Sequence, residues 1–347
     1  MSIQAVRDAL AKNRRDAIDI ASAVGGKRVR GHLEDAQKDL VARLERLSPG
    51  MRGTFTEAQM KSALAQVRDV LTGLTPGMRG TIVQTGLEAA TDASNGVVEY
   101  LTAAEQEFRG VGAQSLALDE ASMMDSARFG AKASILRRIG SSGEDVPGAE
   151  GAPHMAKRGV LQRYGMNVIG YFEQSMRTAI VTRKPWESIK QDITEKSPFL
   201  QQAPASWAER IVRTECASAY NTAGLHATED ANEQLGDMVK ILSATFDDRT
   251  ASDSYAVHGQ IRRINEMFDT WYGPMAAPPA RPNDREIVVP HRISWPIPRY
   301  LFPRTRAEVV QRWTKEKRKG PPPPTPNDST VPRRSFGKQE PPKIPGE

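Results

Sequence analysis

The chain has a single cysteine, Cys216, in 347 residues. A lone thiol excludes an intramolecular disulfide and a thiolate-rich zinc site, so folding rests on burial. Aromatic residues make up 6%. No stretch approaches the roughly 18 consecutive apolar residues of a membrane span. The first 25 residues carry Arg7, Asp8, Lys12, Arg14, Arg15, Asp16 and Asp19 without an unbroken apolar core, so no signal peptide is expected and folding in a cytoplasm is the default. P-loop, GxGxxG, HExxH and GxSxG patterns are all missing. No pair of the five histidines has i,i+4 spacing.

Excess charge of one sign is also missing from most of the chain. The formal charge is +6, yet residues 1–150 hold 19 basic and 20 acidic side chains and residues 151–310 hold 20 and 18. The last 37 residues hold 9 and 4. The basic character therefore sits in a short terminal segment, which argues against a protein that coats DNA with its whole surface.

What is present is mostly helical pattern. Ile3, Val6, Leu10, Ile18 and Ile20 mark a charged amphipathic segment, and Gly25-Gly26 reads as a turn. Leu33, Leu40, Val41, Leu44 and Leu47 then recur at helical spacing. The octet Leu47-Ser48-Pro49-Gly50-Met51-Arg52-Gly53-Thr54 returns, with Ser replaced by Thr, as Leu74 to Thr81. In each copy Pro-Gly is expected to end a helix, because Pro restricts its predecessor and Gly accepts positive φ. Two copies are too few for a solenoid.

Residues 141–154 are small, polar and turn-forming, which sets the expected boundary between a helical domain, 1–140, and a second domain, 155–303. Val160, Tyr164, Val168, Phe172, Met176 and Ile180 predict a helix with a buried stripe. Pro185 opens another with Trp186, Ile189 and Ile193, and Pro198 and Pro204 separate it from a third over 206–235. Val239 to Phe246 reads as a strand, Asp247 to Thr250 as a turn, and Ile287–Val289 and Ile293–Trp295 as short edge strands between prolines. A last helix is expected over 304–319, followed by Pro321 to Pro324 and a disordered, basic, Pro-rich tail to 347. The fold class is thus α+β and mainly helical: an N-terminal helical domain, then a helix-rich domain with a small β-sheet, then the tail, 304–347.

Three motifs stand out in order. Arg210, Arg213, Thr214, Glu215 and Asn221 share one helix; Asp248-Arg249-Thr250 follows the strand, with Gly259 nine residues on; and Pro278-Pro279-Ala280-Arg281-Pro282-Asn283-Asp284-Arg285-Glu286 precedes a β segment. Cys216 reads as a small buried hydrophobe. His226, Glu229 and Asp230 fall on one helix but read as a solvated face, since an ordered metal site needs three or four converging ligands.

The order and spacing of these motifs resemble the phage Mu F-like head morphogenesis family, over roughly residues 155–300. That family's pattern is R-x-x-R-T-E-x-x-x-x-x-N on a helix, a D-x-R-T turn, a Gly, and a PP-x-HP-x-CRC-like segment. Many relatives carry cysteines and a histidine that make a plausible zinc set. Here the matching positions are Ala251, Ser254, Arg281, Asp284 and Glu286, with neither thiol nor imidazole, so no metal and no cofactor is expected. The neighbours of Arg213–Glu215, together with Asp248 and Arg285, would then hold the loops by charge-assisted hydrogen bonds.

The resemblance implies a non-enzymatic minor head protein, built into the procapsid and virion at the capsid interior or portal vertex after assembly in the host cytoplasm. Its partners would be portal, scaffold or major capsid protein. Lys315, Lys317, Arg318, Lys319, Arg333, Arg334, Lys338 and Lys343 would make sequence-independent contacts to packaged DNA or an acidic partner. The alternatives are an effector carrying a head-protein-like domain and an internal protein ejected with the DNA.

Overall fold

The computed structural model describes residues 3–48, 55–109, 118–139, 160–197, 203–247, 250–282 and 284–316. They form eight α-helices: α1 (Ile3–Leu47), α2 (Glu57–Arg109), α3 (Glu120–Ile139), α4 (Val160–Val181), α5 (Trp186–Lys196), α6 (Ala203–Leu235), α7 (Ser252–Val257) and α8 (Arg306–Lys315). Five strands lie after α6: β1 (Met238–Ser243), β2 (Ile261–Arg263), β3 (Phe268–Thr270), β4 (Gly273–Met275) and β5 (Ile287–Arg292). The expected mainly helical α+β class is what is found. None of the helices, over the described residues, is long and apolar enough to cross a membrane.

Contacts divide the chain into two compact units. One comprises Met1–Ala21, Gly86–Lys132 and Thr214–Glu347; the other comprises Ser22–Thr85 and Ala133–Arg213. Helices α1, α2, α3 and α6 each contribute to both. The segment 141–154, expected as a linker, lies outside the described residues, as do 317–347.

The second unit is helical. Val29, Leu33, Leu40 and Leu44 of α1 and Val67, Leu71, Leu74, Met78 and Ile82 of α2 are buried, the stripe that helical spacing dictates. On α4 the buried set is Leu161, Val168, Phe172, Met176 and Ala179. Helix α5 follows the expectation closely, with Pro185 as its N-cap and Trp186, Ile189 and Ile193 inside. Trp186 stacks on Phe55 at 5.5 Å and donates to Ser48 Oγ at 3.0 Å.

Two expected turns in this unit are not turns. Helix α1 runs through Gly25-Gly26, and α2 runs through Pro76-Gly77. The reason is packing. A Cβ at Gly25 would lie 2.8 Å from both the Thr85 and Val212 side chains, so the missing side chain lets α1 approach α2 and α6. A Cβ at Gly77 would lie 3.1 Å from the His32 ring, which hydrogen-bonds Thr81 Oγ1 at 3.1 Å. Burial of Leu74, Met78 and Ile82 on either side of exposed Pro76 outweighs the one backbone bond Pro removes. In the first copy of the octet α1 does end at Leu47, while residues 49–54 lie outside the described residues.

The first unit holds the sheet. Its order is β2-β1-β5, antiparallel throughout, with Ile241 opposite Ile261 and Val289. All six β1 residues are buried, so the strand is covered on both faces. Leu242, Val257, Phe268 and Val288 form its core. Lys240 is buried too: its ammonium donates to the Ala276 carbonyl at 3.0 Å and sits 5.1 Å from the Phe268 ring centre. Burial lowers its pKa to about 8.

Three further expectations change here. Strand β5 continues through Pro290 to Arg292, which an edge position permits because Pro lacks only a donor facing away from β1. Ile293–Trp295 is a turn rather than a strand, closed by Trp295 N donating to Arg292 O at 3.0 Å. Helix α6 starts at Ala203 and takes Pro204 into its first turn, where the absent N–H is harmless. At the end of the described chain, α8 is capped by reciprocal bonds between Thr305 and Glu308 and buries Val309 and Trp313.

Candidate functional site

Asn221, Thr250 and Arg285 converge on the end of β1 and the approach to β5, within the sheet-bearing unit. Asn221 projects from α6, 1% exposed. Its Nδ2 donates to the Ala217 and Glu286 carbonyls at 2.9 and 3.0 Å, and its Oδ1 accepts from Val288 N at 2.9 Å. The carbonyl of residue 286 and the N–H of residue 288 belong to the open edge of β5, the side turned away from β1. The Asn221 amide therefore substitutes for the peptide group of a further strand. Every hydrogen-bonding group at this position is thereby used.

Beside it lies the turn after β1. Thr250 N donates to Asp247 O at 3.1 Å, and Asp247 N donates to Thr250 Oγ1 at 3.0 Å. Thr250 Oγ1 also bonds the Thr245 carbonyl. Arg285 clamps this turn with two parallel bonds, NH1 to Asp247 Oδ2 and NH2 to Asp247 Oδ1, each 2.5 Å. Such a forked pair fixes both position and plane. Asp247 in turn holds Arg285 in its charged form. Asp248 and Arg249 lie outside the described residues; the aspartate that meets Arg285 is Asp247, their neighbour.

A second cluster is centred on Arg281. Its Nε donates to Asp284 Oδ1 at 2.6 Å, its NH1 lies 2.7 Å from Asp253 Oδ2, and its NH2 donates to Ser254 Oγ at 3.4 Å. The Arg281 backbone N donates to Asp284 Oδ2 at 2.9 Å. Tyr272, at the tip between β3 and β4, donates its hydroxyl to Asp253 Oδ2 at 2.6 Å. Burial opposes the Arg281 charge, but Asp284 and Asp253 more than compensate and hold it protonated. Burial pushes Asp284 up against the pull of Arg281. Glu286 is buried beside them. Burial, reinforced by the Asp284 charge, moves its carboxyl up to about 7, and its Oε2 has no hydrogen-bond partner among the described residues.

These are the positions at which the resemblance implied metal ligands elsewhere in the family. Arg281 bonds both Ser254 and Asp284 directly. A guanidinium cation between two carboxylates is the wrong donor set for zinc, which needs thiolate, imidazole or carboxylate ligands converging on one point. No group of three or more His, Cys, Asp or Glu able to hold an ion occurs among the described residues. The cluster is an ion-pair clip joining α7, the β3–β4 tip and the segment before β5.

The remaining motif residues take backbone and packing roles. Gly259 has φ +79°, and a Cβ there would fall 2.6 Å from Pro303 N, so both conformation and space demand glycine. Its N–H donates to Leu242 O at 2.8 Å. Next to it, His258 accepts from Ala244 N through Nδ1 at 3.0 Å and donates from Nε2 to Tyr300 O at 2.8 Å. Burial lowers its pKa to about 4. Thr214 and Glu215 are buried on α6, and Arg210 and Arg213 precede them on the same helix in the other unit. Pro278 and Pro279 are joined by a cis peptide, and Pro282 is exposed after Arg281. Cys216 is buried. His226 pairs with Glu229 at 2.9 Å. Of the basic set, Lys315 ends α8 and the others lie outside the described residues.

Asp247, Asp253 and Tyr272 carry no motif of their own. Asp253 sits on a six-residue helix and Tyr272 on a hairpin of three-residue strands, too short for periodicity to register.

Residues 172–286 match the family model described as Phage Mu protein F like protein. The match covers about a third of the chain, running from the middle of α4 to the residue before β5, and it contains all three motifs. No curated protein and no solved structure matches the chain.

Proposed function

We propose that the chain is a phage head morphogenesis protein with a structural role: a minor component of the procapsid and virion, docking near the portal and contacting packaged DNA through its basic tail. The Mu F-like match over residues 172–286 carries this reading. The chemistry of the site supports it. Asn221, Thr250, Arg281 and Arg285 use their hydrogen-bonding groups on other parts of the same unit. A network spent in this way holds loops in place and presents no paired nucleophile and base to a substrate. Portal, scaffold or major capsid protein are the proposed partners, and the capsid interior or portal vertex is the proposed location.

Mass spectrometry of purified procapsids and virions tests this directly. Peptides of the chain should appear in both, at low copy number relative to the major capsid protein. Absence from both particles would overturn the proposal.

A further inference from the structure

In the sheet-bearing unit, α2 and α3 enclose an open cavity of about 460 Å³. Asn95, Glu99 and Glu120 lie on its rim, and Val98 and Met124 contribute apolar surface. Neither Glu99 nor Glu120 forms an ion pair among the described residues. One turn and two turns before Asn95, Asp92 and Glu88 extend the acidic face along α2, and burial together with the Glu88 charge raises the Asp92 carboxyl. A second observation is independent of the acidic side chains. Ser94 also lines the cavity, is 1% exposed, and its Oγ has no hydrogen-bond partner among the described residues. A buried hydroxyl left unbonded is unfavourable, so a ligand with N–H donors gains by reaching it.

An acidic rim over an apolar wall fits one side chain well. A lysine lays its methylene stem on hydrocarbon and presents three donors at its tip. The chain supplies such residues itself. Residues 317–347 contain seven basic and three acidic side chains, a net positive excess on a short segment. They follow α8, which belongs to the same unit as the cavity. Thirty-one residues reach up to about 95 Å in polyproline geometry, several times the radius of a compact domain. Tethering also sets an effective concentration in the millimolar range, enough to favour a weak electrostatic contact.

We propose that the acidic groove between α2 and α3 seats the chain's own basic tail, with a tail lysine placed along Val98 and Met124 and its ammonium among Glu99, Glu120 and the Ser94 hydroxyl. The groove and phosphate then compete for one cationic segment, so the tail is held back until a polyanion displaces it. The competition, though not the seat, rests on the proposed DNA contact.

The full-length chain allows both to be tested. Carbodiimide coupling at low salt should join Lys317, Lys319, Lys338 or Lys343 to Glu99, Glu120, Asp92 or Glu88 within one chain, and 0.5 M salt should abolish the products. Acetylation footprinting should show tail lysines protected equally at 1 and 100 μM protein. The Glu99→Gln/Glu120→Gln variant should raise their reactivity at least threefold. No link to α2 or α3, links only between isotopically distinct chains, or unchanged reactivity in the variant would each overturn the seat. DNA affinity at low salt should rise severalfold in the same variant. Links without that rise would leave the seat standing and defeat the competition with DNA.

Discussion

Asn221 shows what a single polar side chain does at a sheet edge. Replacing it by Ala removes three bonds and leaves the Val288 N–H and the Glu286 carbonyl buried without that partner. Each orphaned group costs about 1–3 kcal/mol, so Asn221→Ala should lower the unfolding free energy by about 3 kcal/mol in urea titrations. Asn221→Asp keeps the acceptor for Val288 but turns an oxygen on the Ala217 and Glu286 carbonyls in a buried site, and should destabilise at least as much as Ala. Glu286 and His258 set opposite pH dependences. Glu286 has its folded pKa raised from 4.5 to about 7, so its stabilising contribution is complete below pH 4.5 and is lost as pH rises through 7. Glu286→Gln should therefore be nearly neutral at pH 4.5 and stabilising at pH 8, on the order of 3 kcal/mol. An unchanged difference between the two pH values would contradict this. His258 has its folded pKa lowered from 6.5 to about 4. Its neutral form is the native one, and stability should fall as pH drops from 6.5 towards 4. In a proton NMR titration, the His258 ring should remain neutral at pH 5.

At the scale of elements, glycine has two meanings, and sequence reading sees one. Gly25 and Pro76-Gly77 look like punctuation because turns need such residues. In this protein Gly25, Gly77 and Gly130 lie inside long helices at places where another side chain comes close. A Cβ at Gly130 would fall 2.0 Å from His226 Cδ2. Gly31 and Gly80 are also helical, yet an added Cβ there meets nothing within 4 Å. Gly25→Ala and Gly130→Ala should each destabilise by about 1–3 kcal/mol through overpacking, whereas Gly31→Ala should stabilise by roughly 0.5–1 kcal/mol by favouring the helix. Thermal unfolding of the three variants separates packing from propensity. The same distinction explains what could be read in advance. The stripes of α4 and α5 were legible because burial imposes a period that many residues report together. The partners across each glycine were not, because Thr85, Val212 and His226 are remote in sequence. The site divides likewise. Asn221, Thr250, Gly259 and Arg285 stood in recognisable motifs, while Asp253 and Tyr272 gain their roles only when β3, β4 and α7 fold against the segment before β5.

For the whole molecule, the decisive quantity is where the charge lies. The near-balance of residues 1–310 gives little long-range attraction for a polyanion, and the seven basic side chains after Glu316 give most of what exists. Non-specific DNA affinity follows counterion release, with a slope of about −0.9 per phosphate neutralised in a plot of log K against log salt. If all seven cations engage, the slope approaches about −6. Tail deletion after Glu316 should bring it close to zero and reduce low-salt affinity by at least two orders of magnitude, as measured by filter binding between 50 and 200 mM salt. Sequence preference should be negligible, since the tail has only Phe336 as a ring to stack on bases. The deletion should leave the site network around Asn221, Arg281 and Arg285 intact, because its bonds close without the tail. A truncated chain that keeps both its affinity and its salt slope would move the DNA contact onto the folded body and remove the tail from the proposed function.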